Sequence, residues 1–189
     1  TNFISQLESS EPITIMVEDY IKLDAWSKNN LVGYRVNELK YNKQSVFLDP
    51  YLLGVWLGDG DSNNPIIRTS SHAIYKYIRN WTIKNDASLE KRNDCEYMIH
   101  SSGVNPFMNM MTLYNLKNNK HIPHQYMFNN RETRMCVLAG LIDTIGCITN
   151  KNKIMLLFES NSILLDNICA LVMSLGYKVS VNDMVKLHK

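Results

Sequence analysis

The sequence is poor in the features that mark secreted and membrane-spanning proteins. Its four cysteines, Cys95, Cys136, Cys147 and Cys169, stand far apart and form no C-x-x-C pair. Three of them lie inside apolar runs, so we interpret them as reduced core thiols of an intracellular protein, with the compartment left open. No apolar run approaches the roughly 18 residues of a membrane span. The first residues lack the basic start and apolar stretch of a signal peptide.

An excess of charge of one sign is also missing. The 20 Lys and Arg residues nearly balance 18 Asp and Glu residues, for a net charge of +2 and a pI near 8.3. This balance argues against an acidic or disordered chain, and it permits a nucleic-acid partner without requiring one. The ten tyrosines and many asparagines fit either DNA contact or an AT-rich coding sequence. A chain of 189 residues can bury a core as one large domain or two small ones.

What the chain does contain is one nine-residue pattern that occurs twice. The copies are LLGVWLGDG at residues 52–60 and LAGLIDTIG at residues 138–146. Each is an apolar segment with glycine at its third and ninth positions. The first copy places Asp59 before its final glycine, whereas the second places Ile145 there.

Hydrophobic periodicity puts the two copies at matching points of an alternation of helices and strands. A helix through the first copy is expected to begin at Pro50 with Asp49 as its N-cap. Further predicted helices cover residues 17–23, 71–84, 105–116, 131–144 and 162–175, with a polar break at 25–30 and a polar loop at 117–130. Predicted extended segments cover residues 32–39, 45–48, 63–70, 89–92, 96–100, 147–149, 153–160, 177–181 and 184–187. We therefore predict a leading segment (1–48), a first repeat (49–130) and an incomplete second repeat (131–189).

The matched glycines suggest how the two copies meet. Helices with Gly54 and Gly140 at equivalent places can approach closely, because no side chain separates them. Parallel packing about a pseudo-two-fold axis would bring their C-terminal ends, and so positions 59 and 145, to one place. Two acids there would hold a divalent cation that bridges a phosphate. A single apolar helix ending in glycine is usually just a core helix, but a second matching copy favours a functional interpretation.

Several segments resemble one protein family. VLAGLIDTIG at 137–146 resembles the signature of the LAGLIDADG homing endonucleases, and DPYLLGVWLGDG at 49–60 is similar to the first signature of their intein-borne (DOD) branch. The resemblance extends to KHIP at 120–123, NRET at 130–133, SLGYKV at 174–179, VEDYI at 17–21 and GYRV at 33–36. These blocks occur in the family's order and spacing.

The resemblance implies an α+β fold of two pseudo-symmetric αββαββα units that form a DNA-binding saddle, here with the second unit truncated. It implies a monomer that binds double-stranded DNA, sits within a host protein, and hydrolyses phosphodiesters with Mg²⁺ (or Mn²⁺). Asp59 falls on the family's first metal-binding acid, with the peptide oxygen of Gly58 as a further ligand. Lys120 falls on the catalytic lysine of the first half; without the resemblance it would be a solvated loop residue.

The sequence departs from the family at the second acid. Ile145 stands at that position and has no ligand atom, and Asp143 points elsewhere on a helix. We therefore expect cleavage to be impaired. Thr1 and the final His188-Lys189 supply no splicing residues, so we expect those to lie outside this chain.

Basic residues on or beside the predicted strands are candidate phosphate contacts, although each alone is commonly a solvated charge. They are Arg68, Lys91, Arg92, Lys151, Lys153 and Lys178. Asp61 is either an additional metal ligand or a turn residue. Three functions stay open: a cleaving or nicking enzyme, an inactive DNA-binding module, and a purely structural insertion in a self-splicing intein.

Overall fold

The computed structural model describes residues 12–33, 37–149, 153–157 and 162–181, and the chain divides into two compact units, 1–37 and 38–189. Residues 38–48, part of the predicted leading segment, thus belong to the second unit. Helices and two small antiparallel sheets form an α+β structure, as predicted. The helices are α1 (Val17–Lys22), α2 (Ala25–Asn30), α3 (Pro50–Asp59), α4 (His72–Lys84), α5 (Pro106–Leu113), α6 (His124–Met127), α7 (Arg131–Ile145) and α8 (Ser162–Ser174). The strands are β1 (Ile66–Arg68), β2 (Ser88–Lys91), β3 (Glu96–His100), β4 (Gly146–Ile148) and β5 (Ile154–Leu156).

The first unit contains α1 and α2. The helix predicted at 17–23 is confirmed by α1, but the polar break predicted at 25–30 is wrong, because this segment forms α2. Asp24 caps α2 by accepting hydrogen bonds from the Ser27 backbone N–H (2.8 Å) and hydroxyl (2.9 Å). A well-formed N-cap thus offsets the polar composition that suggested a break.

The extended segment predicted at 45–48 forms no strand. Its backbone groups bond to tyrosine hydroxyls instead: Phe47 N–H donates to Tyr114 (3.0 Å), and Leu48 both donates to Tyr126 (3.1 Å) and accepts from it (2.7 Å). The segment predicted at 32–39 also forms no strand in its described part. Residues 34–36 of this segment lie outside the described ranges.

Two apolar helices, α3 and α7, form the centre of the second unit. Asp49 caps α3 by accepting from Leu52 N–H (2.9 Å), and Pro50 is its first residue, as predicted. Asn130 caps α7 in the same way through Thr133 N–H (3.1 Å). The buried core residues of these helices are Leu52, Leu53, Val55, Trp56 and Leu57 on α3, and Val137, Leu138 and Leu141 on α7.

The glycines set the separation of α3 and α7. A Cβ added to Gly54 would lie 3.1 Å from Gly140 Cα and would collide with the Val137 carbonyl oxygen. One added to Gly140 would lie 2.6 Å from Val55 N and 2.9 Å from Gly54 C. The two backbones therefore touch at the glycines, which is the close approach that the repeated pattern predicted.

The first sheet has the antiparallel strand order β1-β3-β2, and Gly60 extends it by an isolated bridge to Ile67. The strand predicted at 63–70 is shorter than expected, because the Asp61 carboxylate accepts from the N–H groups of Asn63 (2.9 Å) and Asn64 (2.8 Å) and holds a turn there. The strands predicted at 89–92 and 96–100 are confirmed with small shifts.

Helix α4 is confirmed with its predicted cap, Ser71. Helix α5 ends earlier than the predicted 105–116, where Asn115 adopts a left-handed φ of 53°. The loop predicted at 117–130 contains the short helix α6, which places the Tyr126 ring in the core. The Tyr126 hydroxyl bonds to Leu48, which is distant in sequence, so the polar composition of residues 117–130 gives no sign of this contact.

In the second half of the repeat, α7 is followed by the antiparallel pair β4 and β5 and then by α8. Helix α8 is followed by Gly176 with φ 86°, as predicted for a helix stop. The strand predicted at 177–181 is wrong, because this segment pairs with no strand in the described part of the chain. Its predicted partner, 184–187, lies outside the described residues, as do residues 158–160 of the strand predicted at 153–160.

A fully buried arginine joins three segments of this unit. Arg134 on α7 donates to the carbonyl oxygens of Asn129 (2.9 Å), Ser174 (2.8 Å) and Leu39 (2.6 Å), and to the Ser174 hydroxyl (2.7 Å). Its guanidinium also lies 5.0 Å from the Tyr41 ring. The carbonyl acceptors satisfy a charge that burial would otherwise make costly.

Candidate functional site

A cleft of about 560 Å³ opens where the C-terminal ends of α3 and α7 meet. Asp59 and Ile145 both line it, so the two equivalent positions of the repeat reach one place, as predicted. A Cβ on Gly58 would collide with the Thr144 hydroxyl and lie 3.6 Å from Ile145 Cγ2, which shows how closely the helix ends approach. The other lining residues are Leu57, Gly58, Gly60, Ser62, Asn118, Lys120, Leu157 and Leu164.

Asp59 supplies the carboxylate of the cleft. It is half-buried at the end of α3, and burial raises its pKa, while the positive charges of Arg68 and Lys120 act in the opposite direction. A carboxylate at a helix C-terminus is disfavoured by the helix dipole and is stabilised by a nearby cation. The structure thus gives Asp59 two cationic neighbours within the protein.

Lys120 is positioned by the backbone of α3 rather than by solvent. Its ammonium group donates to the carbonyl oxygens of Trp56 (3.1 Å), Leu57 (3.2 Å) and Gly60 (2.7 Å), and it lies 5.1 Å from the centre of the Trp56 ring. Burial lowers the pKa of Lys120 to about 8, with the negative charge of Asp59 opposing the shift. A cation at this end of α3 complements the helix dipole. No pattern in the sequence indicated these carbonyl contacts.

The described lining of the cleft supplies one carboxylate, whereas the predicted arrangement for a metal ion has two. Mg²⁺ is commonly held by one or two carboxylates together with water and substrate phosphates. Among the described residues that line the cleft, Asp59 is the one carboxylate, and Ile145 adds only hydrocarbon. Within the described ranges, no group of three or more His, Cys, Asp or Glu side chains is arranged to hold a metal ion. Gly58 lines the cleft, and its role as a peptide ligand stays a prediction.

Two further aspartates have other partners. Asp143 accepts a hydrogen bond from the Tyr51 hydroxyl (2.8 Å), and it is not among the residues that line the cleft. The Asp61 carboxylate is held by the turn, and hydrogen bonds from the Asn63 and Asn64 N–H groups lower its pKa. The turn interpretation of Asp61 therefore accounts for these backbone contacts, and the carboxylate also lies 3.8 Å from Arg68.

The predicted phosphate contacts that the structure describes have different surroundings. Arg68 neighbours the cleft and binds Glu96 (2.9 Å). Lys91 and Arg92 lie at the β2–β3 turn, with Asp94 and Glu90 respectively at 3.6 Å. Lys153 and Lys178 are exposed, and Lys151 lies outside the described residues. Glu96 is a residue that sequence reasoning missed, since its contact with Arg68 depends on the strand register.

Comparison with known proteins shows a distant similarity to a DNA helicase. No family model matches the sequence. A replicative DNA helicase DnaB from Mycobacterium intracellulare is 28% identical over 156 residues, which covers 82% of this chain and 23% of the helicase. No helix in the described part of the chain has the length and apolarity to cross a membrane. The chain is therefore similar to about a quarter of a DnaB helicase, and it spans much less than that protein's length.

Proposed function

We propose that this chain is an intein-borne homing endonuclease domain of the LAGLIDADG type that binds double-stranded DNA and is impaired in metal-dependent cleavage. The observation that carries the proposal is the pairing of α3 and α7 through Gly54 and Gly140. This pairing brings Asp59 and Ile145 to one cleft. A generic core helix pair has no reason to place equivalent positions of a repeated motif together at such a cleft.

The arrangement around the helix pair supports the same proposal. Each of the two helices is followed at once by antiparallel pairing: Gly60 bridges to β1 after α3, and β4 pairs with β5 after α7. A long helix follows each pairing, α4 in the first half and α8 in the second. The two halves thus share an order of elements, which supports a pseudo-symmetric fold in a monomer.

The similarity to a helicase supports a proposal for the host protein of this domain. We propose that the chain is an insertion in a DnaB-type replicative helicase rather than its motor. A nucleotide-binding P-loop needs a glycine followed directly by lysine, and none of the eight glycines here has a lysine after it. We therefore propose DNA binding and cleavage, rather than ATP hydrolysis, for this chain.

The chemistry of the cleft explains the proposed impairment. A bound Mg²⁺ would stabilise charge on a phosphoryl oxygen. Asp59 would provide one ligand for it, and Lys120 would add a positive charge beside the site. Ile145 contributes no ligand. If the loss of one ligand weakens metal binding by a few kcal/mol, the occupancy of the site by Mg²⁺ falls by orders of magnitude. Coordinated cleavage of the two strands of a duplex is then lost.

The test separates binding from cleavage. A random duplex pool is first selected for binding, and the affinity of the selected DNA is measured over a range of salt concentrations. We expect affinity to fall steeply with salt, because contacts to phosphates release counterions. Wild type and Asp59→Asn are then compared for nicking of a plasmid that carries the selected site, with Mg²⁺ or Mn²⁺.

Each outcome assigns one function. Weak metal-dependent nicking that Asp59→Asn abolishes supports a residual enzyme. Salt-dependent binding without a difference between the two proteins supports an inactive DNA-binding module, which the contacts of Lys120 with backbone carbonyls favour as the second candidate. Absence of DNA binding at low salt would contradict both and leave a structural insertion.

A further inference from the structure

The first sheet presents one face to the core and one face outward. Directly opposite residues of antiparallel strands share a face, so the pairs Ile67↔Tyr97 and Leu89↔Ile99 lie together. Ile67 and Ile99 are fully buried, which identifies that face as the core side. The opposite face is the outward one. It carries Ile66, Arg68, Ser88, Glu90, Glu96, Met98 and His100.

Arg68 connects this outward face to the cleft. Burial raises the pKa of Asp59 and lowers that of Lys120, and the positive charge of Arg68 opposes the first shift and adds to the second. The Arg68 guanidinium also lies 3.8 Å from the Asp61 carboxylate. Among the described strand residues of this face, Arg68 is the one Lys or Arg side chain. A duplex that reached Asp59 would therefore meet Arg68 beside it.

Glu96 already accepts a hydrogen bond from the guanidinium that a phosphate would contact. Arg68 Nε donates to Glu96 Oε1 at 2.9 Å, and the other oxygen of Glu96 accepts from the Asn93 side chain at 2.6 Å. The side chains of Arg68 and Glu96 are 39% and 27% exposed, so water reaches the pair only in part. With both carboxylate oxygens held, Glu96 is fixed in the geometry that binds Arg68.

We propose that Glu96 limits the affinity of the first sheet for duplex DNA by holding Arg68 in an internal ion pair. The proposal rests on the proposed DNA-binding function and assigns Glu96 the role of a positioning residue that acts through Arg68. A phosphate must displace Glu96 and then lies next to its negative charge. Removal of that charge leaves Arg68, among the described residues, only the longer contact with Asp61 (3.8 Å), and the Nε–H that Glu96 held becomes available to a phosphate.

The test compares two glutamates of the same face. Glu96→Gln keeps the shape of the side chain and removes its charge. Glu90→Gln makes the same change on the same face, where the pair with Arg92 is longer at 3.6 Å and both side chains are about half exposed. Each variant is made with Arg68 present and with Arg68→Met. Binding of the selected duplex is measured by fluorescence anisotropy at several salt concentrations.

We expect Glu96→Gln to bind about tenfold more tightly, as one added charge-assisted hydrogen bond would give. We also expect the slope of log affinity against log salt concentration to become steeper, by the amount that about one added phosphate contact gives. Both gains should vanish with Arg68→Met, and Glu90→Gln should gain less without a change of slope. An equal gain for the two glutamate variants, a gain that persists without Arg68, or no gain would overturn the proposal.

A second variant guards against loss of the fold. Glu96→Asp keeps the net charge and withdraws the carboxylate by one methylene, so it should show part of the gain while circular dichroism stays native. If it binds like wild type while Glu96→Gln gains only in the presence of Arg68, the aspartate has kept the ion pair and the proposal stands; a gain of Glu96→Gln without Arg68 shows simple charge removal and overturns it. If no protein binds DNA even at low salt, the proposed function fails and this inference fails with it. Tight wild-type binding that none of the variants alters overturns this inference alone.

Discussion

Gly54 and Gly140 contact each other across the α3–α7 interface, and a Cβ on Gly54 would lie 3.1 Å from the Gly140 Cα. This contact fixes how near the two helix ends can come. Because Asp59 and Ile145 are five residues beyond these glycines in each copy, the separation of the helices also determines the cleft. The glycine contact is thus the structural basis of the candidate site.

Gly140→Ala is expected to lower the free energy of unfolding by about 1 to 3 kcal/mol, the usual cost of overpacking. The added methyl would meet the backbone of Tyr51, Val55 and Gly54, which cannot rotate away as a side chain can. Urea denaturation followed by circular dichroism measures the change. Gly103→Ala is the matched control, since a Cβ there has no atom within 4 Å. Equal stability of the two variants would show that α3 and α7 are not so closely packed.

The two arginines of α7 offer a second comparison. Arg134→Met is expected to cost about 3 kcal/mol of stability, because it removes four hydrogen bonds of a fully buried side chain and leaves the carbonyl oxygens of Asn129 and Leu39 without this donor. Arg131, three residues earlier, is about half exposed and binds Glu38 at 3.0 Å, so Arg131→Met should cost only about 0 to 1 kcal/mol. Thermal unfolding of both variants tests this difference. Similar losses would contradict the role of Arg134 in joining Leu39, Asn129 and Ser174.

The lowered pKa of Lys120 predicts that stability depends on pH. Burial lowers its pKa in the folded protein from 10.5 to about 8, so between these values the unfolded chain binds more protons than the folded one. The contribution of Lys120 to the free energy of unfolding should therefore rise as the pH increases from 8 towards 10.5, and be constant below 8. The measurement is the difference between wild type and Lys120→Met at pH 7, 8, 9 and 10. A difference that stays flat or falls over this range would indicate that the ammonium is not desolvated.

The helices of the repeat could be predicted because local signals agree with tertiary structure there. Asp49 and Pro50 mark the start of α3, and the apolar run that follows is buried. The glycine spacing then predicted the α3–α7 contact, since only close backbones make use of a missing side chain. The meeting of Asp59 and Ile145 followed from the repeat alone.

The remaining features depend on contacts that are distant in sequence. Helix α6 lies in a polar segment and is held in place through the bond between Tyr126 and Leu48. The acceptors of Lys120 are carbonyl oxygens, which every residue has, so no motif marks them. The pair of Arg68 with Glu96 requires the β1–β3 register, which short strands do not specify by composition.

The central claim is that Ile145 has replaced a metal ligand in a DNA-cleaving cleft. Ile145→Asp is expected to raise Mg²⁺-dependent cleavage of the selected duplex by at least about tenfold, as even a modest gain in metal binding would give. Ile145→Asn, which adds a polar group without charge, should gain much less, and Asp59→Asn combined with Ile145→Asp should abolish the gain. Cleavage by Ile145→Asp that equals wild type, in a folded protein that still binds the DNA, would contradict the account.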